Sequence, residues 1–212
     1  YYQQAYTMIS SQAVRDAFDM SQETEAMKTH YGMGKYLERV TYGPSLGSKV
    51  GGRMLLARRL VEAGARFVSL TYGSWDTHVQ LRESYEQQMP AFDHAITALI
   101  NDLDERGMLD NTLIWIAHEF GRTPKVNAAA GRDHWAKVFS MAFAGGGMKR
   151  GLWYGDVDAT SSEPAKDAVP LHDLHSTIYK LIGINSQKEL MAPGDRPIEI
   201  VNNGKPVEDL IA

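Results

Sequence analysis

Two runs of β-forming residues, each opening directly onto ionisable side chains and separated by one long amphipathic stretch, set the strongest limit on how this chain folds. The first run is Arg66-Phe67-Val68-Ser69-Leu70-Thr71-Tyr72, and it leads into Gly73-Ser74-Trp75-Asp76-Thr77-His78. The second is Thr112-Leu113-Ile114-Trp115-Ile116-Ala117, and it leads into His118-Glu119-Phe120-Gly121-Arg122-Thr123-Pro124. Between them, residues 81–106 carry Met89, Phe92, Ile96, Leu99 and Leu103 at a helical period, and Gly107 follows. A third run, Val138-Phe139-Ser140-Met141-Ala142-Phe143-Ala144, is closed by Gly145-Gly146-Gly147, which read as turn residues. Strand, helix and strand in alternation predict an α/β chain with a mostly parallel sheet and helices on both faces.

The flanking segments fit that plan. One or two helices are expected within residues 1–40, interrupted at Gly32 and Gly34. A Gly/Pro/Ser-containing connection covers 43–52, and a helix follows over 53–63, ended by Gly64. Another helix is expected over 171–182, ended by Gly183, and a short strand over 197–201. Residues 1–212 read as a single domain without repeats. With 212 residues and 43% apolar composition the chain can bury a sizeable core. Its net charge of −4 gives no support to nucleic-acid binding. No apolar run approaches the roughly 20 residues of a transmembrane segment. The start at Tyr1-Tyr2-Gln3, without Met or a signal pattern, reads as a cut in a longer chain.

Ligands of open α/β sheets bind beyond the carboxyl ends of the strands. The first strand exit supplies Asp76 and His78, the second His118, Glu119 and Arg122, and the adjoining loop Arg132, Asp133 and His134. Carboxylates and imidazoles from neighbouring strand ends are what a divalent metal site requires. With no cysteine in the chain, thiolate ligands and disulfides are excluded. A metal there would lower the pKa of bound water or polarise a phosphoryl or sulfuryl oxygen. Arg122 and Arg132 have the paired N–H donors to hold a tetrahedral oxyanion. The plain alternative is that Asp76 or Thr77 caps the following helix and that His118 and Glu119 are ordinary loop residues. His94, His172 and His175 suit packing or capping roles better than a site. Trp75, Trp135, Trp153 and Tyr154 are candidates for stacking against a glycan, with core packing as the simpler account. No Gly-x-Ser-x-Gly elbow or P-loop is present.

Several segments carry a family resemblance. They are Ala57-Arg58-Arg59-Leu60-Val61-Glu62-Ala63-Gly64, Trp75-Asp76-Thr77-His78, Glu119-Phe120-Gly121-Arg122-Thr123-Pro124, Gly131-Arg132-Asp133-His134-Trp135, and Leu171-His172-Asp173-Leu174-His175-Ser176-Thr177-Ile178 before Leu181-Ile182-Gly183. Together they resemble an uncharacterised bacterial, sulfatase-like family, domain of unknown function 1501, whose members typically carry a twin-arginine export signal. The resemblance implies an alkaline phosphatase-like fold with its N-terminal part outside this chain. It also implies a periplasmic or extracellular location, and hydrolysis of a small-molecule or glycan phosphate or sulfate ester. The metal ligands it implies are Asp76, His78, Glu119 and His134, holding one or two divalent ions, with Zn, Ca, Mg and Mn all open. Arg122 would act on the ester in catalysis and, with Arg132, in substrate binding. Two departures stand out: His118-Glu119 replaces the adjacent Asp-His of related enzymes, and Asp76 and His78 are two residues apart where four is usual. The nucleophile is expected upstream of this chain, on an N-terminal segment or a partner chain. A catalytically inactive structural or interaction protein is the competing expectation.

Overall fold

The structure, a computed structural model, describes residues 2–3, 11–36, 47–73 and 75–212. The chain divides into two compact units: residues 1–105 with 126–132, and residues 106–125 with 133–212.

The first unit is helical. Helix α1 spans Gln12–Phe18 and α2 spans Glu25–His30. Their first turns are capped by the hydroxyls of Ser11 and Thr24, which accept from the backbone N–H of Val14 and Met27. Gly32 and Gly34 then turn the chain at positive φ, as expected. Helix α3, Gly47–Glu62, begins earlier than the sequence suggests. Gly51, which reads as part of a connection, lies inside this helix, and a Cβ there would stand 2.0 Å from the Tyr31 carbonyl oxygen. The glycine serves close backbone approach and not a loop. The expected connection at 43–46 lies outside the described residues. Gly64 ends α3 at φ +96°, with the N–H of Ala65 reaching the Leu60 carbonyl.

Helix α4, Leu81–Glu105, matches its expected span and contains Pro90. Its buried face differs from the predicted one. Ser84, Gln88, Ala91, Ala95, Ala98, Leu99, Asp102 and Leu103 are buried, while Met89 is 47% exposed. Small residues line this face, and α4 packs against α3. The two helices hold a buried ionic centre. Asp102 Oδ2 accepts from Arg58 Nε at 2.9 Å and from the Tyr31 hydroxyl at 2.8 Å. Arg58 also donates to Glu62 and Glu23, and Arg59 to Glu23 and to the carbonyls of Ala17 and Asp16. Burial works against the charge on Arg58, but Glu62, Asp102 and Glu23 outweigh it and raise its pKa. Burial and the adjacent Asp102 carboxylate push the Tyr31 hydroxyl up, so it remains a donor.

The second unit is made of short antiparallel pairs. Strand β1 (Ile114–Ile116) pairs with β4 (Ala142–Ala144), and β2 (Gly121–Arg122) with β3 (His134–Trp135). Likewise β5 (Asp156–Val157) pairs with β6 (Pro164–Lys166), and β7 (Glu189–Ala192) with β8 (Arg196–Glu199). Helix α5, Leu171–Leu181, follows Pro170 and ends at Gly183, where the Ile184 N–H reaches the Tyr179 carbonyl.

These pairs overturn the expected alkaline phosphatase-like α/β fold. Among the described residues there is no parallel pair and no sheet of more than two strands. The first expected strand, 66–72, has no ladder, and Phe67 is 84% exposed. The second and third expected strands shrink to three residues each and run antiparallel. The segment between them contains no helix, and a parallel return needs a crossover, usually helical. No helix among the described residues is long and apolar enough to cross a membrane.

Candidate metal centre

In the helical unit, Asp76 and His78 stand in the connection just before α4. Asp76 Oδ1 lies 3.1 Å from His78 Nε2. The intervening Thr77 is buried, and its N–H and hydroxyl both donate to the Trp75 carbonyl. This tight turn sends the side chains on either side of Thr77 outward together. Residues 127–132 grip the same stretch through its backbone. The Arg132 N–H donates to the Thr77 carbonyl at 3.1 Å, and the N–H groups of Gln80 and Leu81 donate to the carbonyls of Ala129 and Ala130. Trp75, a candidate stacking platform, is instead packed edge-on against Tyr72, Tyr85 and Phe92.

The hairpin unit holds the other candidates. His134 on β3 is directly opposite Arg122 on β2, a cross-strand register that places side chains on a common face. The His134 ring lies 4.1 Å from the Phe120 ring, and the Arg122 guanidinium 6.0 Å from the same ring. Phe120 thus carries a cation and an imidazole in close company. Glu119 is exposed in the turn between β1 and β2. His118 is occupied otherwise: Nδ1 is 2.9 Å from the Phe120 carbonyl and Nε2 is 2.5 Å from the Ser140 carbonyl. Trp135 donates its Nε1–H to the Ser162 carbonyl and lies under the Lys137 ammonium. Trp153 is 85% exposed. His172 and His175 lie on α5, His175 edge-on to Trp115. His94 is structural, with Nδ1 at 3.0 Å from the Tyr36 hydroxyl and Nε2 at 3.0 Å from the His30 carbonyl.

Sequence reasoning missed two contributors. Asn127 reaches the His78 carbonyl, and Gly131 has no room for a side chain against the same peptide. Neither is chemically conspicuous, and only their closeness to His78 marks them.

Fold and side chains together describe a helix-rich protein with small antiparallel pairs and an oxygen-and-imidazole candidate centre. It belongs to the family described as protein of unknown function (DUF1501), whose model matches residues 1–211. Neither a curated protein nor a solved structure matches the chain at a significant level. The match assigns a family and no reaction.

Proposed function

We propose that this protein is a metal-dependent hydrolase of phosphate or sulfate esters, with Asp76, His78 and His134 as cation ligands and Arg122 as the anion-binding residue. The observation that carries this reading is the 3.1 Å approach of Asp76 Oδ1 to His78 Nε2. Two ligands about 2.1 Å from a tetrahedral ion stand roughly 3.4 Å apart, so the pair can share a cation with little adjustment. One carboxylate and two imidazoles form a donor set suited to a divalent ion such as Zn. His134 is proposed as the third ligand on the family resemblance, as the His of the segment Gly131-Arg132-Asp133-His134-Trp135.

When bound, such an ion supplies a water of lowered pKa and a polarised ester oxygen. Arg122, beside His134 on the paired strands, would hold the ester oxyanion through its fork of N–H donors and turn the ester toward that water. Glu119 is proposed as a ligand of a second ion. Export from the cytoplasm is proposed on the family resemblance alone, and cell fractionation tests it.

The test is elemental analysis of the purified full chain together with turnover of generic aryl phosphate and aryl sulfate esters. One ion per chain is expected, falling to trace in Asp76→Ala, with turnover lost alongside. Arg122→Ala should keep the metal while turnover falls on the order of a hundredfold or more, the scale of losing an oxyanion-binding donor. Two ions per chain, dropping to one in Glu119→Ala, would support the second site. No stoichiometric metal and no turnover would favour the alternative, an inactive interaction protein. That reading draws on the open exposure of the Asp76 carboxylate, where a plain Asp–His hydrogen bond is also at home.

A further inference from the structure

Among the described residues, three backbone-to-backbone hydrogen bonds and one from the Asn127 side chain tie residues 77–81 to the loop 127–132. The fourth is different: Asn127 Nδ2 donates to the His78 carbonyl at 3.0 Å. It is made by a side chain, and it falls on a proposed ligand. The rest of the Asn127 amide is committed as well. Its Oδ1 accepts from the N–H of Ala129 and of Gly131, both at 3.0 Å, and its own N–H donates to the Gly131 carbonyl at 2.8 Å. Two N–H donors facing one amide atom identify that atom as oxygen, and a carbonyl facing the other identifies it as nitrogen, so the orientation of the amide follows from its partners.

The loop under this amide is shaped for close approach. Ala130 sits at φ +58°, and a Cβ on Gly131 would stand 2.0 Å from the His78 carbonyl carbon and oxygen. The His78 peptide is therefore confined on one side by the Gly131 backbone and held by the Asn127 amide. Its orientation sets the direction in which the imidazole leaves the chain toward Asp76.

We infer that Asn127 is a positioning residue: through the His78 carbonyl it aims the His78 imidazole at the position it shares with Asp76, and so sets cation affinity at the site. The inference rests on the cation site proposed above. Partners that orient metal ligands typically change affinity ten- to a hundredfold when removed. Asn127 acts on the backbone of its ligand, so a loss of about tenfold is expected.

Asn127→Asp isolates the one bond. It keeps the oxygen that accepts from Ala129 and Gly131 and loses the donor to His78. Its added negative charge favours a nearby cation, so weaker binding would run against simple electrostatics and point to the lost donor. The experiment is Zn²⁺ titration of the full-length wild type, Asn127→Asp and Asn127→Ala, with thermal midpoints of the metal-free proteins. The expected result is about tenfold weaker Zn²⁺ binding in both variants, with the Asn127→Asp midpoint near wild type. Wild-type affinity in both overturns the inference. So does an affinity loss confined to Asn127→Ala and matching its loss of folded protein, which is what a purely structural role predicts.

Nuclear magnetic resonance of the metal-free proteins separates the two proposals. A coupling across the Asn127 amide to His78 carbonyl bond, and a His78 ring signal displaced in Asn127→Asp, are expected whether or not the wild type binds Zn²⁺. If the wild type takes up no Zn²⁺, the hydrolase reading fails. If the coupling is absent and the ring signal unmoved, the positioning role fails.

Discussion

In the helical unit α3 and α4 close over Arg58, Asp102 and Tyr31, whereas the hairpin unit folds its chain back on itself in four places over two to four residues each. The difference shows in what each buries. Of the fifteen buried apolar side chains among the described residues, ten belong to the helical unit, from Ala17 to Leu103. The hairpin unit buries Leu109, Met148, Leu174, Val201 and Leu210, and leaves Leu190, Met191 and Trp153 largely open to solvent. The helical unit thus concentrates its stability in a few buried partners, while the hairpin unit spreads it over turns and short ladders. A buried ion network is sensitive to the loss of any member, because the others are left without partners in a medium that solvates them poorly.

The largest expected effect is at Asp102. Asp102→Ala removes the acceptor of the buried Arg58 Nε–H and of the Tyr31 hydroxyl, leaving Arg58 only Glu62 and Glu23, and should cost about 3–5 kcal/mol in a urea melt. A loss under about 1 kcal/mol would break the contrast between the units.

Next is Glu23, which bridges Arg58 and Arg59. Burial opposes its ionisation, but Arg59 and Arg58 outweigh burial and hold its carboxyl below the ordinary value of 4.5. Its contribution is therefore complete above pH 4.5 and lost as the pH falls through the lower folded value. Glu23→Gln should remove roughly 1.5–3 kcal/mol near neutral pH, the range for a hydrogen bond to a charged group, and much less in acid. Melts from pH 7 to pH 3 check the sign, and a deficit that grows as the pH falls would contradict it.

The smallest effect is expected at Trp153, 85% exposed in the hairpin unit. Trp153→Ser should stay within about 0.5 kcal/mol, because a surface side chain with little burial has little to lose. A larger loss in the same urea melt would show that the hairpin unit depends on contacts of its surface aromatics.

The candidate centre was legible where chemistry is local. Asp76 and His78 are two residues apart, and a turn at Thr77 is enough to bring their ligand atoms together. Arg122 and His134 were legible as residue types, but their register as cross-strand partners was not, because nothing in a two-residue strand announces its partner. Asn127 and Gly131 were illegible as site residues. An amide and a glycine in a polar loop have many ordinary uses, and theirs appears only when the His78 peptide lies against them.

The same division runs through the fold. Helices α1, α2, α4 and α5 lie where capping residues, periodicity and terminal glycines put them, since each helical hydrogen bond joins residues four apart and each cap acts within a turn. Strand pairing was decided by the tertiary structure. The β-forming run at 66–72 favours an extended backbone by composition alone, yet it carries no ladder, while β1 meets an antiparallel partner in β4 across a segment without a helix. Ladder bonds need a second strand from far along the chain, and composition specifies the extended backbone without specifying the partner.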